Sequence, residues 1–345
     1  MIGFHRLVAG VISFFVAVAP AFADDIADFY KGRNVTLFIG SAPGGGYDLY
    51  GRLFARYLGN YIPGNPNIIS VNMPGAGQTR VSGHVALVAP KDGTAIAIVS
   101  PLSLLSPILG GPKIQYDPTK FYYLGSATRE YYACAVRSDA PVTNFKDLFE
   151  RELIVGGSTG TTRQMPGVLN AVLGTRFKLV SGYPGTKDVL HALERNEVQG
   201  LCGLGYMGIA LQNPDWVKNG FIKFIVQEGT VGFPELTKRN VPLSVDFAKT
   251  AEARQVLELI YTQAEAGRPF VAAGDIPQER AAALRQAFGK AMRDPKLIAD
   301  AAKYQLELEP LAGEELQAII ERAYAAPPEI KALARKASAI SASGD

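Results

Sequence analysis

Two glycine-rich turns, thirty-one residues apart, carry the residue types in this chain best suited to holding an anion. The first is Ala42-Pro43-Gly44-Gly45-Gly46-Tyr47-Asp48 and the second is Met73-Pro74-Gly75-Ala76-Gly77-Gln78. Each follows a strand-like apolar run (Val35 to Ile39, Ile68 to Val71) and precedes a helix-like one (Leu49 to Leu58, Val81 to Val88). A glycine turn between strand and helix leaves backbone N–H groups unpaired at the positive end of the helix. Such a turn accepts a carboxylate or a phosphate without an arginine. Phosphate fits this pair poorly. A P-loop needs Lys and Ser/Thr after its last glycine, where this chain has Tyr47-Asp48. Gly44-Gly45-Gly46 followed by Gly51 does not make a dinucleotide fingerprint. Asp48 would repel a phosphate dianion and reads better as an acceptor near a helix start.

A third turn, Gly156 to Arg163, follows Leu153-Val155 and precedes a helix from Gln164. Ser158, Thr159, Thr161 and Thr162 add hydroxyls to its backbone donors, and Arg163 adds a fork that can grip a carboxylate twice. The plainer reading is a threonine cap beside a solvated arginine. Two more turns, Ser181 to Thr186 and Gly203 to Tyr206, put Tyr183 and Tyr206 beside glycines, as Tyr47 is in the first. These tyrosines are candidate pocket walls, although aromatic residues at strand ends more often belong to a core. No G-x-S-x-G, H-E-x-x-H or Ser-His-Asp arrangement is present. Beyond residue 23 the only histidines are His84 and His191. The expectation is a binding protein rather than an enzyme, with no cofactor and no metal. Cys134 and Cys202 are the only cysteines. In an exported chain they can form one disulfide, or they can be two buried thiols acting as small hydrophobes.

The elements that must position these turns alternate. Strand signals lie at 35–40, 68–72, 95–100, 122–127, 132–137, 152–157, 177–182, 199–203 and 221–227. Helix signals lie at 49–58, 79–89, 102–109, 164–173, 187–195, 246–264, 277–292, 295–302 and 313–324. This pattern predicts an α/β architecture with mainly parallel sheets, and open sheets of that kind bind ligands at the C-terminal ends of their strands. After Val271 only helix signals remain, and Pro327-Pro328 with the tail beyond Lys336 reads as a short final helix with a frayed end. At the other end, His5-Arg6, the apolar run Leu7 to Pro20 and Ala21-Phe22-Ala23 read as a signal peptide, 1–23, cleaved after Ala23. The mature chain from Asp24 then carries 34 basic against 32 acidic residues. No basic run points to nucleic acid. No long linker appears, so two lobes joined by crossing segments are expected, 24–126 with 233–345 and 127–232.

The ordered set of motifs is specific. P-G-G-G-x-D, N-x-P-G-A-G, the turn Pro90-Lys91-Asp92-Gly93-Thr94 before the strand at 95–100, Tyr183-Pro184-Gly185 and the helical C-terminal block together resemble the substrate-binding receptors of tripartite tricarboxylate transporters, the Bug or TctC family. The resemblance spans essentially the whole mature chain. It implies a two-lobed, type II-like periplasmic binding fold that closes like a Venus flytrap. It implies a monomer that captures a small carboxylate in the cleft and delivers it to membrane permease subunits. A ligand-sensing receptor would need the same pocket, and a secreted hydrolase is the rival from another class. Carried onto this sequence, Gly44, Gly45, Gly46, Tyr47 and Asp48 would hold one carboxylate with Gly75, Ala76, Gly77 and Gln78. Ser100 would line the cleft floor, and Ser158, Thr159, Thr161, Thr162 and Arg163 would meet the ligand's far end. The family often has G-A-G-G in the second loop, and Gln78 takes the place of its last glycine.

Overall fold

Val35, Leu37 and Ile39 alternate into the interior along β1 (Asn34–Ile39), which pairs in parallel with β2 (Asn67–Asn72) and with the fully buried β3 (Ala95–Ile98). β2 is an edge, and Ile69 and Val71 on it are exposed. The computed structural model describes residues 21–110, 113–158 and 160–343. The expected signal peptide lies outside these except for its last three residues, which open α1 (Ala21–Tyr30). The chain continues through β4 (Tyr122–Ser126) and then enters a second sheet. That sheet is made of β5 (Tyr132–Arg137), β6 (Leu153–Gly156), β7 (Phe177–Val180), β8 (Gly200–Gly205) and β9 (Ile222–Glu228). β10 (Pro269–Ala272) and β11 (Leu311–Ala312) return to the first. The orders are β11-β4-β10-β3-β1-β2 and β7-β6-β8-β5-β9. The fold is two-lobed α/β, one lobe around each sheet.

All nine expected strands form, with ends displaced by two residues or fewer. The sheets are mixed rather than simply parallel. β5 runs antiparallel to β8 and β9, β10 runs antiparallel to β3 and β4, and β11 runs antiparallel to β4. The cause is topological. The other strands end at the edge where the helices begin. α2 (Gly46–Leu58), α3 (Thr79–Leu87) and α4 (Pro101–Leu109) follow β1, β2 and β3, while α5 (Thr161–Leu173), α6 (Thr186–Glu194) and α7 (Tyr206–Gln212) follow β6, β7 and β8. The chain leaves β4 at that edge and enters β5 directly, so β5 must run away from it. β9, which follows α8 (Pro214–Lys218), likewise ends there, and the chain runs on through α9 (Pro234–Lys238) and α10 (Ala251–Ala266) to start β10 from the same side. β10 carried no sequence signal, although β3, β6 and β7, which are equally short, did.

The C-terminal block is α11 (Gln278–Ala291), α12 (Pro295–Lys303), α13 (Gly313–Ala325) and α14 (Pro328–Ser343). α14 is a sixteen-residue helix, not the short frayed one expected. Its Ile330, Ala334 and Ala337 recur on one face and are buried, which overrides the polar look of the tail. α14 also touches both lobes. Ser338 Oγ accepts from Gln164 Nε2 on α5 at 3.1 Å, and Arg335 Nη2 donates to the Pro107 carbonyl on α4 at 2.9 Å. One apolar cluster accordingly joins Leu104, Leu105 and Tyr123 of the first lobe to Val136, Leu153 and Met165 of the second through α10, α13 and α14. A second cluster lies under the first sheet, where Phe54, Phe270 and Phe288 meet with ring centroids 4.6 to 5.3 Å apart.

Candidate functional site

The first two glycine turns are neighbours because β1 and β2 are. Met73 N donates to Ile39 O at 2.8 Å, continuing the ladder to the loop bases. Asp48 then ties the loops together. Its Oδ2 accepts from Gly44 N (2.9 Å), and its Oδ1 accepts from Asn72 Nδ2 (2.7 Å) and Arg52 Nε (2.8 Å). Asn72 Nδ2 also donates to Ser41 O at 2.9 Å. Asp48 is only 3% exposed. Burial alone would raise its pKa, but Asn72, the Gly44 amide and Arg52 outweigh it and hold the carboxyl below its usual range. Both Asp48 oxygens are thus committed to the loops themselves. The second loop has four consecutive residues at positive φ, Gly75 (133°), Ala76 (47°), Gly77 (60°) and Gln78 (71°). Left-handed backbone costs a non-glycine residue roughly 1 kcal/mol, so glycine is the unstrained choice at position 78. The Gln78 side chain folds back over Gly40, where its Oε1 lies 2.3 Å from the position a Cβ would take.

Ser100 follows β3 at the same edge and caps α4, its Oγ accepting from Leu102 N at 3.3 Å. Tyr47, on the first turn of α2, is half-buried, and Ser100 is among the groups that act on its phenol. Burial pushes the Tyr47 pKa up, and the Arg268 guanidinium beside it pulls the other way. Arg268 and its partner Glu130 escaped the sequence reading. Arg268 Nη2 pairs with Glu130 Oε1 at 2.6 Å, and both side chains are about four-fifths buried. The guanidinium carbon sits 4.4 Å from the Tyr47 ring centroid and 5.1 Å from that of Tyr50. Its Nη1 is 3.2 Å from where a Cβ on Gly46 would stand, at the first turn of α2. Tyr132, first residue of β5, belongs to the same electrostatic cluster. Burial works against the Arg268 charge, but Glu130 and the surrounding phenols outweigh it and keep it firmly protonated. Gly267 makes this position reachable. Its φ is +59°, and a Cβ there would stand 1.8 Å from the Thr128 carbonyl oxygen, so the segments that lead into β5 and β10 lie in contact.

In the second lobe the hydroxyls bond largely to their own loop. Ser158 N donates to Thr162 Oγ1 at 3.2 Å, Ser158 Oγ lies 3.3 Å from Thr162 Oγ1, and Thr161 Oγ1 donates to Gly203 O at 2.6 Å. Ser158 and Thr162 are buried, while Thr161 and Arg163 are half-buried. Thr159 lies outside the described residues. Tyr183 is half-buried beside Gly156, at the end of β6. Tyr206 is buried in an aromatic cluster, 5.1 Å from Phe224 and 4.8 Å from Phe233 between centroids. Cys134 on β5 and Cys202 on β8 are joined by a disulfide. Against it sits Glu228, the last residue of β9, fully buried. Glu228 Oε2 accepts from Gly203 N at 2.6 Å, and its Oε1 lies 3.3 Å from Cys134 Sγ. Burial pushes its pKa up to about 8 against the pull of that amide. Among the described residues, Cys134, Cys202 and Glu228 are the one group of such side chains close enough to share an ion, but the two sulfurs are bonded to each other.

Surface cavities of about 590 and 610 Å³ lie away from these turns, one lined by Ser106, Tyr324 and Arg335 and the other by Ala86, Tyr116 and Gly274. Beside the first turn of α2, Arg268 lies between its partner Glu130 and the Tyr47 ring. No protein-family model matches the sequence, and no curated protein does. Solved structures do. A TctC solute-binding protein from Polaromonas, solved without ligand, superposes with a TM-score of 0.68 at 20% identity, over 89% of this chain and 99% of that one. MatC from Rhodopseudomonas palustris, with bound malate, gives 0.60 at 19% identity over 88% and 99%. R. palustris Rpa4515, with adipate, gives 0.62 at 20% identity over 88% and 97%. The chain has the two-lobed fold of these solute-binding proteins.

Proposed function

We propose that this chain is an exported periplasmic receptor of the Bug/TctC kind. It captures a small organic carboxylate between its lobes, 24–126 with 233–345 and 127–232, and as a monomer hands it to the permease subunits of a tripartite tricarboxylate transporter. The observation that carries the reading is the pair of glycine turns side by side at the C-terminal edges of β1 and β2, each opening a helix. Helix starts of that kind favour anions through backbone donors. Gly44 to Gly46 and Gly75 to Gly77 would form the cradle, with Ser100 below it. Thr161, Arg163 and Tyr183 would approach from the other lobe. Two similar folds hold malate and adipate, which supports a carboxylate. The reading is one of binding rather than bond-making.

A thermal-shift screen of mono-, di- and aromatic carboxylates tests it. A ligand at a hundred times its Kd stabilises the folded chain by about 2.7 kcal/mol and raises Tm. Absence of any shift across the whole panel would sink the assignment. Gly45→Val and Gly77→Val should remove the shift and keep the fold. A Cβ at Gly77 meets nothing within 4 Å, so the cost there is backbone strain rather than a clash. Unchanged affinity in both variants would mean that the loops are only turns.

A further inference from the structure

The backbone cradle explains how an anion is held but not why a guanidinium is buried beside it. Arg268, just before β10, lies beside the first turn of α2, its Nη1, Nη2 and Cζ 3.2, 3.5 and 3.6 Å from the place of a Cβ on Gly46. Its Nη2 is taken by Glu130. Its Nε is buried with no hydrogen-bond partner, and so is Ser41 Oγ, which stands 3.4 Å from the place of a Cβ on Gly45. Two buried donors without partners beside one glycine turn are uncommon in a folded chain, and each asks for an acceptor. A carboxylate at the turn would supply acceptor oxygens to both. It would also meet Glu130, whose like charge already occupies one edge of the fork.

We propose that Arg268 is the charged anchor of the ligand carboxylate and that Glu130 is its built-in competitor, displaced from the guanidinium when the ligand arrives. This rests on the carboxylate reading above. Glu130 precedes β5 and Arg268 precedes β10, so the exchange takes place where the two lobes join. The pair also acts as a filter. An acid gains the fork only by repaying the loss of Glu130, so the site favours a carboxylate that uses both guanidinium edges over a neutral isostere or a weakly held anion.

Titration calorimetry on the mature chain, with acetate, malate, adipate and benzoate as separate probes, tests the proposal. Arg268→Met should weaken the best of these by about tenfold or more, the scale of a lost hydrogen bond to a charged group. Glu130→Gln should tighten it by about tenfold. Arg268→Met leaves Glu130 buried and alone, so the double variant Arg268→Met/Glu130→Gln is measured beside it. That variant holds no unpaired ion and should fold normally yet stay as weak as the single one. Wild-type protein that binds none of the probes defeats the receptor reading itself. Wild-type protein that binds while the folded double variant binds equally well overturns the role of Arg268 alone. Unchanged or weaker binding in Glu130→Gln overturns the competitor, and weaker binding would make Glu130 a ligand contact instead.

Discussion

Replacing Glu228 by Gln should reverse the usual penalty of a core substitution, in a pH-dependent way. Glu228 is fully buried against the disulfide, with Tyr132 from β5 and Tyr261 from α10 near enough to feel its charge. Burial holds its carboxyl at about 8, against an ordinary value of 4.5. Between those two values the folded chain keeps a proton that the unfolded chain has released. The native state therefore binds more protons, and stability must fall as pH rises through that window. At 1.36 kcal/mol per pH unit the loss approaches about 5 kcal/mol, of which about 4 is reached by pH 8. Glutamine keeps the shape and keeps an oxygen to accept from Gly203 N, but it does not titrate. Urea melts of both proteins at pH 4.5, 6.5 and 8 isolate the effect, because every other group titrates alike in the two. The variant should nearly match the wild type at pH 4.5 and exceed it by about 4 kcal/mol at pH 8. Parallel pH profiles would refute the argument. So would a variant that is less stable at pH 8, because Glu228 would then be a paired, ionised group.

Two further outcomes follow from the geometry. Gly267→Ala should destabilise the chain by more than about 2 kcal/mol, since its Cβ would meet the Thr128 carbonyl and its φ lies in the left-handed region; a Tm within a degree of wild type would mean the crossing segments are not held in contact. The Cys134–Cys202 bridge closes a separation of 68 residues, so reducing it should cost about 4 kcal/mol on chain entropy. Thiol titration should find none in native or denatured protein, and two free thiols would refute the bridge.

The sequence was readable where local chemistry decides local structure. P-G-G-G between an apolar run and a helix fixes a turn, and Asp48 four residues after Gly44 fixes its internal acceptor. It was unreadable where position depends on partners far along the chain. Tyr206 stands beside a glycine just as Tyr47 does, but one ring packs among Phe224 and Phe233 and the other lies under Arg268. α14 looked frayed because its polar face dominates its composition, and its buried stripe matters only once α4 and α5 offer a surface. Gln78, expected among the ligand contacts, has a left-handed φ and a side chain folded over Gly40 that its neighbours in sequence do not announce.

The charges that went unseen share one cause. In a sheet whose strands all finish at the cleft, the residues that line it come from the ends of strands, where glycine turns announce them. A strand entered from the cleft lines it with the residues before its start. β5, β10 and β11 are the strands of this kind, and the first two are preceded by Glu130-Tyr131 and Gly267-Arg268. These segments look like ordinary connectors, because the antiparallel sense of the strands they enter exists only in the assembled topology. The two glycine turns thus belong to the parallel strands and the buried ion pair to the antiparallel ones. A ligand gripped by Arg268 would bear on the crossing segments themselves, and its differential affinity for the closed arrangement would act where the lobes are joined rather than at their tips.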